Sequence, residues 1–180
     1  MRIIQSSWAC NETNFLTIPA GWVAPEYKMM SWALSCLQLR KYYDDVTLYA
    51  DEISAHNLID TLQLPYTNVV CNLDELNSYH PHLWALPKLA AYAQQEKPFL
   101  HVDSDVFIWK AFPEELMESD LIAQNEEEET NYYRDMFEPM DNTFSYFPPE
   151  MIAERREGNP IHAYNAGILG GNLIGFFKEY

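Results

Sequence analysis

The stretch PFLHVDSDVFIWKAF, residues 98–112, sets two acids, Asp103 and Asp105, inside a run that otherwise reads as a buried strand. Phe99, Leu100 and Val102 precede the pair, and Val106, Phe107 and Ile108 follow it. Burial of an unpaired carboxylate costs several kcal/mol, so the placement needs a reason. Residues two apart on a strand point to one face, so a regular strand through 99–109 projects both carboxylates together. At the carboxyl end of a central strand they enter the crevice where open α/β sheets bind ligands. Two carboxylates converging there repel unless something positive joins them, and a divalent cation with oxygen ligands is the usual solution. Mg²⁺ or Mn²⁺ held by one or two carboxylates commonly completes its shell with phosphate oxygens, which makes a diphosphate the natural further partner. The plain alternative is a surface turn whose acids cap backbone groups, and the apolar flanks argue against it. A calcium loop fails, because Ile108 stands where the sharp turn needs glycine and Phe107 where a ligand is expected.

Working outward, short apolar runs alternate with amphipathic stretches, the pattern of a layered α/β fold. RIIQSSW (2–8) reads as a first strand, and a loop with Pro19, Gly21 and Pro25 follows it. KMMSWALSCLQLRKYY (28–43) is a helix with Met30, Leu34 and Leu37 at helical spacing and a basic C-terminal turn. VTLYAD (46–51) is a strand, ISAHNLIDTLQL (53–64) a helix with Ser54 as its cap, and TNVVCNL (67–73) a strand. HLWALPKLAAYAQQ (82–95) is a helix with Pro87 in its first turn, ahead of the Asp-x-Asp strand. DLIAQN (120–125) is a fifth strand, Glu126 to Pro160 an irregular excursion, and HAYNAGILGGNLIGFFKEY (162–180) a strand running into a helix. No linker or repeat divides the chain, so one domain over residues 1–180 is expected.

With 180 residues, 48% of them hydrophobic, the chain can bury a core. The formal net charge of −16 repels nucleic-acid phosphates and anionic lipid surfaces, so no nucleic-acid partner is expected. Cys10, Cys36 and Cys71 are odd in number and lack CxxC spacing, which fits a reducing cytoplasm. No signal-peptide pattern and no apolar run of about 18 residues occurs, so a cytoplasmic chain without a transmembrane segment is expected, working free or peripherally at the inner face of the membrane.

FLHVDSDVFIW, preceded by the helix segment WALPKLAAY and followed by YNAGILGGNLIGFFKEY, resembles the GT-A fold glycosyltransferases, in particular bacterial capsule and lipopolysaccharide sugar transferases. The resemblance spans most of the chain and is carried by the Asp-x-Asp strand and the Asn-Ala-Gly segment together. It implies a Rossmann-like, mixed but mostly parallel sheet flanked by helices. It also implies metal-dependent transfer of a sugar from a nucleotide-diphosphate donor, most simply a UDP-sugar, to a hydroxyl of a glycan or saccharide acceptor in surface polysaccharide or glycan synthesis. By that resemblance Asp103 and Asp105 bind Mn²⁺ or Mg²⁺ and through it the diphosphate, Lys88 reaches the donor, and Asn165, Ala166 and Gly167 line the donor-sugar and acceptor pocket.

Ser104 lies between the two acids, and Ser6 and Trp8 close the first strand where similar enzymes grip the nucleotide. Asp51 either faces the base or caps the next helix. His162 is a candidate acceptor contact. His101 is expected to pack on the opposite face from its neighbours, and His80 and His82 to sit in a solvated loop. The glutamates from 126 to 129 read as a solvated face. Similar enzymes continue with a further helix and a late histidine that completes the metal shell, whereas GNLIGFFKEY breaks off without a helix stop signal, so the chain is expected to be a fragment. The rival of another class is a non-catalytic module of the same fold that binds a sugar nucleotide or glycan through its Tyr and Trp side chains. A third reading makes the acidic, aromatic excursion a protein docking surface. Nucleotidyl transfer would need a glycine-rich phosphate loop after the first strand, and SSWACNETNFLTIPAGW contains none.

Overall fold

In chain order the elements are β1 (Arg2–Ser7), α1 (Pro25–Tyr42), β2 (Val46–Ala50), α2 (Glu52–Ala55), β3 (Asn68–Cys71), α3 (Leu86–Ala93), β4 (Phe99–Val102), α4 (Glu114–Met117), β5 (Ile122–Ala123), β6 (Glu126–Glu128), α5 (Thr130–Asp141), β7 (His162–Tyr164), β8 (Ile168–Gly171) and α6 (Ile174–Glu179). The computed structural model describes residues 1–128, 130–141, 143–149, 151–152 and 162–179. The chain divides into two compact units, Met1–Ile122 with Gly167–Tyr180, and Ala123–Ala166.

The first unit is an α/β layer built on a six-stranded sheet of order β3-β2-β1-β4-β8-β5. β1 pairs in parallel with β2 and β4, and β2 in parallel with β3, while β8 runs antiparallel to β4. Every residue of β2 and β4 is buried, as expected of parallel strands covered on both faces. Alternation along β1 and β4 divides the core. Ile3, Leu100 and Val102 pack with Leu39 of α1, and Ile4 and Phe99 pack with Tyr92 of α3 and Phe177 of α6. The chain moves outward from β1 through β2 to β3, then returns to the other side of β1 as β4, so the strand order reverses between β1 and β4.

Four local features depart from the sequence reading. The fourth strand ends at Val102, because the Val106 N–H turns back to the Asp103 carbonyl at 3.1 Å and closes a turn over the Asp-x-Asp residues. Helix α1 starts at Pro25, which serves as a first-turn proline, and it buries Lys28, Ser31, Trp32, Ser35, Cys36 and Leu39 while Met30, Leu34 and Leu37 face outward. Asp51, not Ser54, caps α2, accepting from the Ser54 N–H at 2.9 Å. The helix then widens into a π-helical turn at His56–Thr61.

In the second unit, three of the four consecutive glutamates form a strand, with Glu126 and Glu128 exposed as a solvated face and Glu127 half-buried. β6 pairs antiparallel with β7, Glu126 opposite Tyr164 and Glu128 opposite His162. Helix α5 follows, so this part of the expected excursion is ordered chain, and residues 153–160 lie outside the described residues. Among the described residues no helix is long and apolar enough to cross a membrane.

Candidate functional site

The strand order reverses between β1 and β4, and the carboxyl ends of the strands at such a reversal are where open α/β sheets take their ligands. Ser6, Ser7 and Trp8 come to this place from β1, the turn Asp103–Val106 from β4, and Lys88 from the first turn of α3.

The turn is held from behind by buried polar groups. Ser31 Oγ donates to the Ser104 carbonyl at 2.6 Å, and Ser35 Oγ shares its proton between the carbonyls of Val106 at 2.9 Å and Asp103 at 3.3 Å. Gln5 Nε2 donates to Ser35 Oγ and to the Val102 carbonyl, each at 3.0 Å, and the Tyr66 hydroxyl donates to Gln5 Oε1 at 2.6 Å. Gln5 and Ser35 are fully buried, so these bonds satisfy groups that water cannot reach. The polar inward face of α1 therefore has a purpose: it fixes the backbone of the Asp-x-Asp turn. On the other side the Asp103 N–H donates to the Gly167 carbonyl at 2.7 Å, tying the turn to the start of β8.

Lys88 Nζ donates to Asp103 Oδ2 at 2.5 Å, with 16% and 23% of the two side chains exposed. A cation in the first turn of a helix works against the helix dipole, so Lys88 depends on that carboxylate for its placement. Its ammonium also lies 5.6 Å from the centroid of the Trp84 ring, and that residue is 70% exposed. Burial pushes the Asp103 carboxyl above its ordinary range and Asp105 adds to the rise, while Lys88 pulls it back. Asp105 is exposed.

His101 is buried to 1% exposure, its ring meeting Tyr92 edge-on at 5.2 Å. It packs as expected, its ring on the α3 side of the sheet, opposite to its neighbours Leu100 and Val102 and on the same side as Asp103. Nε2 lies 3.0 Å from Ser6 Oγ, and Nδ1, which has no hydrogen-bond partner among the described residues, faces Asp103 Oδ1 at 3.6 Å. Burial, with Lys88 adding, pushes its pKa down to about 3, so the ring is neutral. Ser6, His101, Asp103 and Lys88 thus form one polar row at the carboxyl ends of β1 and β4.

The other expected site residues divide by location. The Trp8 indole N–H donates to Asn77 Oδ1 at 2.7 Å, which fixes its ring beside β1. Asp51 is fully buried, and its second oxygen accepts from the Ala9 N–H at 2.9 Å. Both its oxygens are thereby engaged within the protein, the capping role of the two that the sequence left open. His80 and His82 stack edge to face at 4.6 Å in an exposed loop. His162, Asn165 and Ala166 belong to the second unit. There His162 Nδ1 lies 2.9 Å from Glu126 Oε1, and Asn165 Nδ2 donates to Glu127 Oε1 at 2.8 Å. The Asn165 bond, with another from Tyr133, holds the Glu127 carboxyl below its ordinary range. Gly167 belongs to the first unit. Sequence reasoning did not single out Gln5, Ser31, Ser35 or Trp84. Two serines one helical turn apart, beside Trp32 and Cys36, were the available signal for Ser31 and Ser35.

Among the described residues no three His, Cys, Asp or Glu side chains converge as a metal-ligand group. Two carboxylates on one turn, one anchored and one exposed, do not make a closed site. A hard divalent cation held by them would have to take its remaining oxygens from water and phosphate. No curated protein matches the chain. A family model described as "Family of unknown function (DUF6734)" matches residues 1–180, and the chain belongs to that family.

Proposed function

We propose that the protein is a metal-dependent glycosyltransferase of the GT-A type. It moves a sugar from a nucleotide-diphosphate donor, a UDP-sugar, to a hydroxyl of a glycan or saccharide acceptor, and works in the cytoplasm. The observation that carries this reading is the position of the Asp103–Val106 turn with Lys88, at the carboxyl ends of β1 and β4 where the strand order reverses. Asp103 and Asp105 are the residues that would hold Mn²⁺ or Mg²⁺, whose chemistry there is to neutralise charge on a diphosphate. Lys88 contributes a second positive charge, able to donate to the leaving diphosphate as the bond to the sugar breaks. Ser31, Ser35 and Gln5 keep the turn backbone in one geometry, so the carboxylates need little reorganisation when donor binds.

Calorimetric titration of UDP into the protein tests the reading. Binding in Mn²⁺ that disappears with chelator, and in an Asp103→Asn, Asp105→Asn variant that remains folded, is the expected result. No UDP or GDP binding under any condition contradicts it.

A further inference from the structure

Resting on the metal-diphosphate reading of this site, we propose that Lys88 and a divalent cation compete for Asp103. A diphosphate relieves the competition by drawing the ammonium onto its own oxygens, so cation and diphosphate bind as a coupled pair and each binds weakly alone.

Both oxygens of Asp103 have neighbours. Oδ2 is held by Lys88 at 2.5 Å, and Oδ1 faces the buried His101 ring at 3.6 Å. A cation binding to Asp103 must therefore take either the oxygen that Lys88 holds or the one that lies against the buried ring. The second carboxylate, Asp105, cannot hold a cation alone, and no third ligand joins it among the described residues. Two carboxylates and one ammonium leave a single net negative charge, half of what the pair would offer without Lys88 (−2 + 1 = −1). Removing the ammonium therefore strengthens the attraction of the two carboxylates for a cation.

The lysine is suited to exchange. Its four-carbon stem carries a compact charge that can rotate to a new partner, whereas an arginine fork would favour the bidentate carboxylate pair. A diphosphate at this site offers the ammonium several anionic oxygens, and the freed Asp103 Oδ2 becomes available to the cation that the same diphosphate carries. By linkage, whatever factor the diphosphate adds to cation affinity, the cation adds to diphosphate affinity.

The test is calorimetric titration of Mn²⁺ alone, and of UDP in saturating Mn²⁺, into the unaltered protein, Lys88→Met and Lys88→Arg, with thermal unfolding confirming that each is folded. The expected result is a change of opposite sign. Lys88→Met should bind Mn²⁺ alone about tenfold more tightly and UDP with Mn²⁺ about tenfold more weakly, one charge being removed from each balance. Lys88→Arg, which keeps the charge and adds a fork that suits the carboxylate, should bind Mn²⁺ alone no more tightly than the unaltered protein. If Lys88→Met binds Mn²⁺ no more tightly while the unaltered protein still binds UDP with Mn²⁺, the competition is overturned and the proposed function stands. If Lys88→Met gains Mn²⁺ affinity but the unaltered protein binds no UDP, the competition is upheld and the diphosphate's part in it is overturned.

Discussion

Ser35, on the inward face of α1, holds the carbonyl of Val106 at 2.9 Å across a sequence separation of 71 residues. That bond, shared with the Asp103 carbonyl, joins the first helix to the turn that carries both acids.

Ser35→Ala should therefore loosen the turn. It removes the donor for two carbonyls and the acceptor for one Gln5 amide proton, leaving buried polar groups without partners, at a cost of about 1–3 kcal/mol. Urea unfolding measures the loss, and UDP binding in Mn²⁺ should weaken in the same variant. Leu37→Ser on the outward face, where Leu37 is 54% exposed, should change stability by less than about 0.5 kcal/mol. Equal effects from the two variants would remove the turn-holding role of Ser35.

His101 gives the protein an acid limit. Its pKa falls to about 3 in the folded chain, below its ordinary 6.5, so an unfolded chain takes up the proton first as pH drops. This contribution to stability is present above pH 6.5 and declines as pH falls from there toward about 3, by roughly 1.4 kcal/mol per pH unit where only the unfolded chain is protonated. His101→Gln should flatten that slope by about one proton, measured by urea unfolding in chelator at a series of pH values. An unchanged slope would show that other groups set the acid limit.

Asp51 acts as a cap and a loop anchor, so its substitution should be read in stability. Asp51→Ala should cost about 1–2 kcal/mol through loss of the bonds to Ser54 and Ala9. The ratio of UDP to GDP affinity should stay within about twofold of its original value, because a fully buried carboxylate does not reach a base. A selective change in that ratio would return Asp51 to the nucleotide.

The two glycines of β8 are needed for close backbone approach. A Cβ at Gly170 would run into the Phe99 carbonyl of β4, and one at Gly171, whose φ is +140°, into the Asp120 carbonyl. Gly171→Ala should therefore cost roughly 3 kcal/mol or more, read as a lowered unfolding midpoint. A midpoint unchanged from the original protein would contradict the close approach.

Much of this architecture was legible from local pattern. The short apolar runs of β2 and β4 and the amphipathic stretches between them mark a layered α/β fold, while the mostly parallel sheet was an expectation from resemblance that the buried strands bear out. The place where the fourth strand ends was not legible, since the turn after Val102 is fixed by Ser31, Ser35 and Gly167, residues far away in sequence. For the same reason the inward face of α1 was misread. Spacing alone favours Met30, Leu34 and Leu37 as the packed side, while the fold turns the serines inward to meet backbone carbonyls. The strand of glutamates at β6 ran against propensity, its pairing with β7 supplying what the residues do not. Asp103 and Asp105 were singled out as candidates by charge placed in an apolar run, and Lys88 by resemblance.

The central claim is that the turn at Asp103–Val106 holds a metal and a nucleotide diphosphate together. The most direct measurement is the heat of UDP binding with Mn²⁺, repeated with chelator and with the folded Asp103→Asn, Asp105→Asn variant. Binding that requires both the metal and the two carboxylates is the result this account predicts. UDP binding that persists without metal and without either carboxylate would place the nucleotide elsewhere and contradict it.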